Sequence, residues 1–359
     1  MIASDSRASG YRVVTAVALA LVVLMSAAMP VGAQQSSRHV LAGEDIAIFN
    51  IAGEVFLEGG DVGDVVVEVT RGGADATELG IETGEIGGKM TLRVIYPADR
   101  VVYGEMSRGS RTTMRVRPDG TWGGSWLNGR SVTVTGSGSG LQAHADLRII
   151  VPRGKTVAAF LSVGAITASN AEGEIVLDTH TGRVNASGIR GSLLIDTGSG
   201  RVDVSGIDGI LSVDTGSGGV TLADCQGDRI VVDTGSGRVT GNGITTAYLE
   251  IDTGSGTISV ENVTGEEVRL DTGSGSVVCG LLANPAFVNI DTGSGGVTLT
   301  VPATLGAQLE VDTGSGGITV DVPIEYQKKS RSYVLGTIGD GEGKIIIDTG
   351  SGRVRIRKP

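Results

Sequence analysis

Apolar and polar residues alternate with period two along most of the chain, and the alternation repeats in units of fixed length. The pairs Leu193 and Ile195, Leu211 and Val213, Ile230 and Val232, and Leu249 and Ile251 each sit three residues and one residue before an Asp. Val268 and Leu270, Val288 and Ile290, Leu309 and Val311, and Ile345 and Ile347 do the same. Six and eight residues after the Asp a second pair follows, as in Val202 and Val204 or Val297 and Leu299. A period of two is a strand with one buried face. Each unit therefore predicts two short strands of roughly six residues, joined by a tight turn and by a looser one of variable length, as "GIDG" and "LLANPA" show.

The turn between the paired strands reads "DTGSG", at Asp196, Asp214, Asp233, Asp252, Asp271, Asp291, Asp312 and Asp348, with a degenerate "DTHTG" at Asp178. Successive spacings are 18, 18, 19, 19, 19, 20, 21 and 36 residues. So short a unit cannot bury its apolar face alone. Copies stacked in register bury a ribbon of Val, Ile and Leu between two parallel sheets, so the fold class is all-β, a parallel β-solenoid of about 19 residues per coil. Gly is abundant at 59 residues and aromatics scarce at 3%, as a flattened coil with short core side chains requires. The regular solenoid is assigned to 156–359, a less regular β region to 34–155, and the 36-residue gap before Asp348 to an extra coil with a protruding basic loop around Lys328. "FLSVGAITA", from Phe160, reads as a first coil lacking its Asp. The charged last strand reads as an edge that resists further pairing. No helix is expected beyond the leader.

An apolar strand entering Asp-Thr-Gly-Ser is also how the catalytic loop of an aspartic protease reads, where two carboxylates share a proton. That cleft needs two facing loops, and eight copies at one-coil spacing cannot form it. Alternation instead turns each Asp outward, and stacking puts Asp178, Asp196, Asp214, Asp233, Asp252, Asp271, Asp291, Asp312 and Asp348 in one column. At ~4.8 Å between strands like charges repel, so compensation is expected: an Asx-turn in which the carboxylate accepts backbone N–H groups. Gly at +2 and +4 is expected to supply positive φ, and Arg183, Arg201, Arg238 and Arg353 at +5 to pair with the column. Bound Ca²⁺ is the sharper alternative, but one Asp per coil and the lack of a Gly-Asp nonapeptide disfavour it; no other cofactor is implied.

Residues 1–33 carry Arg7 and Arg12, the apolar run "VVTAVALALVVLMSAA", Pro30 and then Val31-Gly32-Ala33. This is the pattern of a secretory leader cleaved after Ala33, since an uncleaved anchor needs about 20 apolar residues. The expected compartment is periplasm, cell surface or exterior, with no transmembrane segment in the mature chain. The net charge of −11 argues against nucleic acid. Cys225 and Cys279 fall three coils apart, roughly 14 Å at the strand spacing, so two free thiols are expected. His39, His144 and His180 are scattered, and Trp122 and Trp126 share one irregular loop read as packing.

The "DTGSG" turns, the entering "ADLRIIVPRG" and the closing "TIGDGEGKIIIDTGSGRVRI" resemble a bacterial domain-of-unknown-function family labelled adhesin, whose strand repeats are toast-rack-like. The resemblance covers most of the mature chain. It implies an exported cell-envelope or secreted β-solenoid without established catalytic residues. The function expected is thus a non-enzymatic structural or adhesion-like interaction role toward an envelope protein, a glycan or another copy. Hydroxylic outward positions (Thr221, Thr240, Ser259, Thr298, Thr319) offer a mild polar face. The alternatives are a polysaccharide-acting β-helix enzyme, which needs acids clustered in a cleft, a Ca-stabilised surface repeat, and an ice-binding face, which needs two Thr rows where only Thr298 with Thr300 provides both.

Overall fold

The computed structural model describes residues 35–123 and 129–359, and the leader assignment and Trp126 fall outside them. Strand dominates, and among the described residues the one helical element is a single 3-10 turn at Ala76–Glu78. The repeats form rungs of a two-sheet solenoid whose neighbouring strands pair in parallel with their motif residues in register, interrupted by bulges between Asp208 and Leu211 and between Val260 and Val263. Asp178 is opposite Asp196, Asp196 opposite Asp214, and so on through Asp291. The inward residues are fully buried, as in Ile230, Val232, Val220 and Leu222. Each contributes roughly 1.5–3 kcal/mol, and each rung covers the next one's edge.

The looser turn is more regular than the sequence suggests. Asn170, Gly188, Gly206, Asp224, Gly243 and Asn262 occupy one corner position in successive rungs, all with φ between 51 and 70°. Only Gly, Asn and Asp stand there, the residues that tolerate the left-handed region. Asp233, Asp252 and Asp271 are the next-to-last residues of strands Val220–Thr234, Val239–Thr253 and Ile258–Thr272, which run round that corner from one sheet into the other.

Two further rungs precede the Asp series. Lys155–Val163 pairs with Glu172–Thr181, so Phe160 takes the Asp position, and Asp45–Ala52 lies in register beyond it, with Phe49 opposite Phe160. Strands of mixed direction close this end: Lys89–Ile95 joins Asp45–Ala52 and His144–Val151 joins Val55–Gly59 in parallel, and the strands beyond them are antiparallel. Lys89–Ile95 and Gly80–Ile86 extend one sheet, while His144–Val151, Val65–Gly72 and Gln35–Leu41 extend the other. Between them an excursion folds a small separate sheet from Arg100–Val102, Arg111–Val116 and Arg130–Thr135.

The other end departs from the expectation. No extra coil fills the gap before Asp348. Residues Glu325–Lys329 and Tyr333–Ile338 form an antiparallel hairpin whose second strand pairs with Ala307–Thr313. The chain then turns back, and Gly343–Thr349 inserts between Phe287–Thr292 and Ala307–Thr313. Val354–Arg357 inserts likewise between Val297–Thr300 and Ile318–Asp321. Spatial order at this end is therefore Asp291, Asp348, Asp312. The last strand is an interior one, and the exposed edges are the basic hairpin strand and the four-residue Ile318–Asp321.

Candidate functional site

The structure brings the nine motif carboxylates into one outward column, all exposed except the half-buried Asp178. Their role in the turn differs from the expectation. No motif Asp accepts a backbone N–H among the described residues. The neighbouring Thr does that work, because alternation points it inward, where Thr215, Thr234, Thr253, Thr272, Thr292, Thr313 and Thr349 are buried. Thr253 Oγ1 accepts the Gly256 N–H at 2.9 Å and donates to the Gly237 carbonyl of the previous rung at 3.2 Å. The same pair of bonds recurs at Thr234, Thr272, Thr292 and Thr349. At the end rung, Thr313 Oγ1 donates instead to the Gly316 carbonyl of its own turn. The ladder starts at Thr215, which caps Gly218 at 3.0 Å. Below it the strands run on to Thr181 and Ser199, the tight turn does not form, and the buried Oγ1 atoms of Thr179 and Thr197 have no partner.

The motif glycines are needed for proximity. Neither the +2 nor the +4 glycine has a left-handed φ. A Cβ on Gly237 would lie 1.8 Å from the Gly218 carbonyl oxygen, and one on Gly256 the same distance from that of Gly237. Rungs meet backbone to backbone along this line, and no side chain fits between them.

The predicted +5 arginine pairing is also absent. Arg201 binds Asp203 at 2.7 Å and Thr221 at 3.1 Å, and no motif Asp joins an ion pair among the described residues. Arg201 stands just before the strand Val202–Ser205 and reaches along that sheet to Asp203 and Thr221, away from the column. Asp214, Asp252, Asp271 and Asp348 are held above the ordinary carboxylate range, by partial burial and then by the flanking aspartates. Asp178 is pushed furthest, to about 7, by burial and then by Asp196.

Asp178 stands where the column meets an aromatic cluster. Its in-register neighbour Phe160 stacks on Phe49 with centroids 4.6 Å apart, and Trp122 packs edge-on against both and against His180. Trp122 is thus packing, as expected of the loop. The histidines are not brought together: His39 contacts Ser37, and His144 lies beside Asp146 and Tyr103. Cys225 and Cys279 are free and buried, with burial raising both thiols, Cys279 to about 12. Among the described residues no group of three or more His, Cys, Asp or Glu is arranged to hold a metal, and none is long and apolar enough as a helix to cross a membrane.

Sequence reasoning missed a groove along the left-handed corner, of about 990 Å³, walled by Asp61, Arg153, Lys155, Glu172, Arg190 and Asp208. Glu172, Arg190 and Asp208 are in-register neighbours, so charges alternate along it. The signal was present: these residues share one position in successive repeats.

Among curated proteins nothing matches. A crystal structure of a candidate cell adhesion protein from Clostridium sporogenes aligns over 91% of this chain and 100% of that one, at 8% identity and a TM-score of 0.23, well below what a shared fold gives. The profile of the Toastrack DUF4097 family matches residues 152–357, the rungs from Lys155 to the inserted C-terminal strand, and the chain belongs to that family.

Proposed function

We propose that the protein is a non-enzymatic, exported interaction scaffold of the cell envelope, a stiff stack whose long sides meet an extended polar partner such as a glycan. The observation that carries this is how the motif's reactive-looking groups are used. From Thr215 onward the motif Thr hydroxyls are committed to the rung ladder, and the motif aspartates form one outward row in which, among the described residues, no group of three or more His, Cys, Asp or Glu gathers to hold a metal. A polar concavity is offered by the corner groove, with alternating Glu172, Arg190 and Asp208. Alternating signs suit an extended ligand rich in hydroxyl and amide groups, since an excess of either charge in the partner meets repulsion at every second rung.

The test is a glycan array on the protein without residues 1–33, beside a pull-down from envelope extract and a glycan-degradation panel. Saturable binding to one glycan class without turnover, weakened by Arg190→Glu, is the expected result. Turnover of any glycan would replace the scaffold reading with an enzymatic one.

A further inference from the structure

The out-of-order C-terminal rung defines an acceptor slot in the stack. The main chain itself skips a level: from Asp291 to Asp312 it takes 21 residues, the longest step between consecutive repeats before the final gap, and residues 301–306 climb past the vacant height. Residues 343–357 fill that height and complete the ladder on both sides. Ile345 lies between Val288 and Leu309, Ile347 between Ile290 and Val311, Val354 between Val297 and Ile318, and Ile356 between Leu299 and Val320. Thr349 donates to Gly295 across one boundary, and Arg355 binds Asp321 at 2.8 Å across the other.

Nothing in the slot recognises the segment's own chain. Its partners are backbone ladders, apolar rows, the repeated turn and the side chains of Asp321 and Thr300, which an identical segment from another molecule would meet equally well. The segment is also basic within an acidic protein, with Lys344, Arg353, Arg355 and Arg357 against Asp348 in a chain of net charge −11, so approach to another copy is electrostatically favoured. Its tether is a hairpin with a fully exposed outer strand, Glu325–Lys329. The tether ends in a turn where Gly339 and Gly341 have φ of 56 and 74° and so retain the freedom to redirect the chain.

We propose that this slot is a strand-acceptor site, and that two copies of the chain exchange residues 343–357 reciprocally to pair as a closed dimer. Reciprocal exchange leaves no slot empty, so it ends at two subunits and avoids open fibres. The local contacts are the same in both forms, and the monomer–dimer balance is set by hinge strain and protein concentration.

Thr298 and Arg355 are in-register partners on the outer face, at a strand spacing that a disulfide spans. The Thr298→Cys and Arg355→Cys single variants are unfolded together, refolded reduced at high concentration, and oxidised once Cys225 and Cys279 are buried again. The expected product is a covalent dimer joining one chain of each variant. Only monomer, or dimers of all three pairings in random proportion, would overturn the proposal, provided the double variant closes its internal bridge. Independently of any substitution, native mass spectrometry of co-refolded isotopically heavy and light protein should show a mixed-mass dimer, and monomer alone at every concentration refutes it.

Discussion

Replacing Thr253 with Val removes one hydroxyl from the ladder at constant volume. The change strands the buried Gly256 N–H and the Gly237 carbonyl, now bonded at 2.9 and 3.2 Å. A net loss near 1 kcal/mol per hydrogen bond, with the desolvation cost of an orphaned donor, gives a destabilisation of about 2–4 kcal/mol. Thr253→Ser keeps the oxygen and loses a methyl, about 0.8 kcal/mol. The discriminating comparison is Thr197→Val. Thr197 occupies the same motif position and is equally buried, but its Oγ1 has no partner. Removing an unsatisfied buried hydroxyl should be neutral or stabilise by about 1 kcal/mol. Urea unfolding gives the global change. Hydrogen exchange at the Gly256 amide gives the local one, which matters because stacked repeats can open in part. The reasoning fails if the two Val variants lose equal stability, or if the Gly256 amide exchanges no faster in Thr253→Val.

Gly237→Ala drives a Cβ to within 1.8 Å of the Gly218 carbonyl and should cost more than about 3 kcal/mol in a melt. Gly317→Ala, with open space around it, should be silent, and equal effects would remove the proximity argument. The Asp178 carboxyl, raised to about 7 in the fold against about 3.9 in an unfolded chain, contributes stability that is complete below about pH 4 and lost as pH rises through 7. The melting temperature should therefore fall from pH 5 to pH 8, and Asp178→Asn should flatten that slope and raise stability at pH 8; an unchanged slope refutes the assignment. With aspartates in single file and unpaired, calcium should act as ionic strength alone, so melts with calcium and with ionic-strength-matched chelator should coincide, and a specific upward shift with calcium refutes this.

The Thr ladder was open to inspection in the repeat itself. Parity places Thr253 on the same side as Leu249 and Ile251, so an inward hydroxyl needing a partner follows from the alternation that turns Asp252 outward. Charge draws attention to the Asp, while the hydrogen-bond requirement falls on its neighbour. Why Thr197 lacks the bond is not legible, because "DTGSG" is identical at both rungs. Its turn stacks on the "THTG" turn of the Asp178 rung, which holds the strand open to Ser199. The corner groove lay in the looser turns, where residue type changes from rung to rung although Asn170, Gly188, Gly206 and Asp224 share one left-handed position at a constant spacing of 18 residues.

Alternation and period are local properties, written into every repeat. The sequence by itself therefore determined the strands, the buried and exposed faces, the in-register stacking and the column of like charges. The order of the last rungs, the hairpin at that end and the excursion that packs Trp122 over Phe160 were decided only in the tertiary structure. Identical repeats offer identical ladder edges, so any copy fits beside any other. What chooses among those equal pairings is the reach of the connecting segments and the packing at the two ends, and neither is a property of a single repeat.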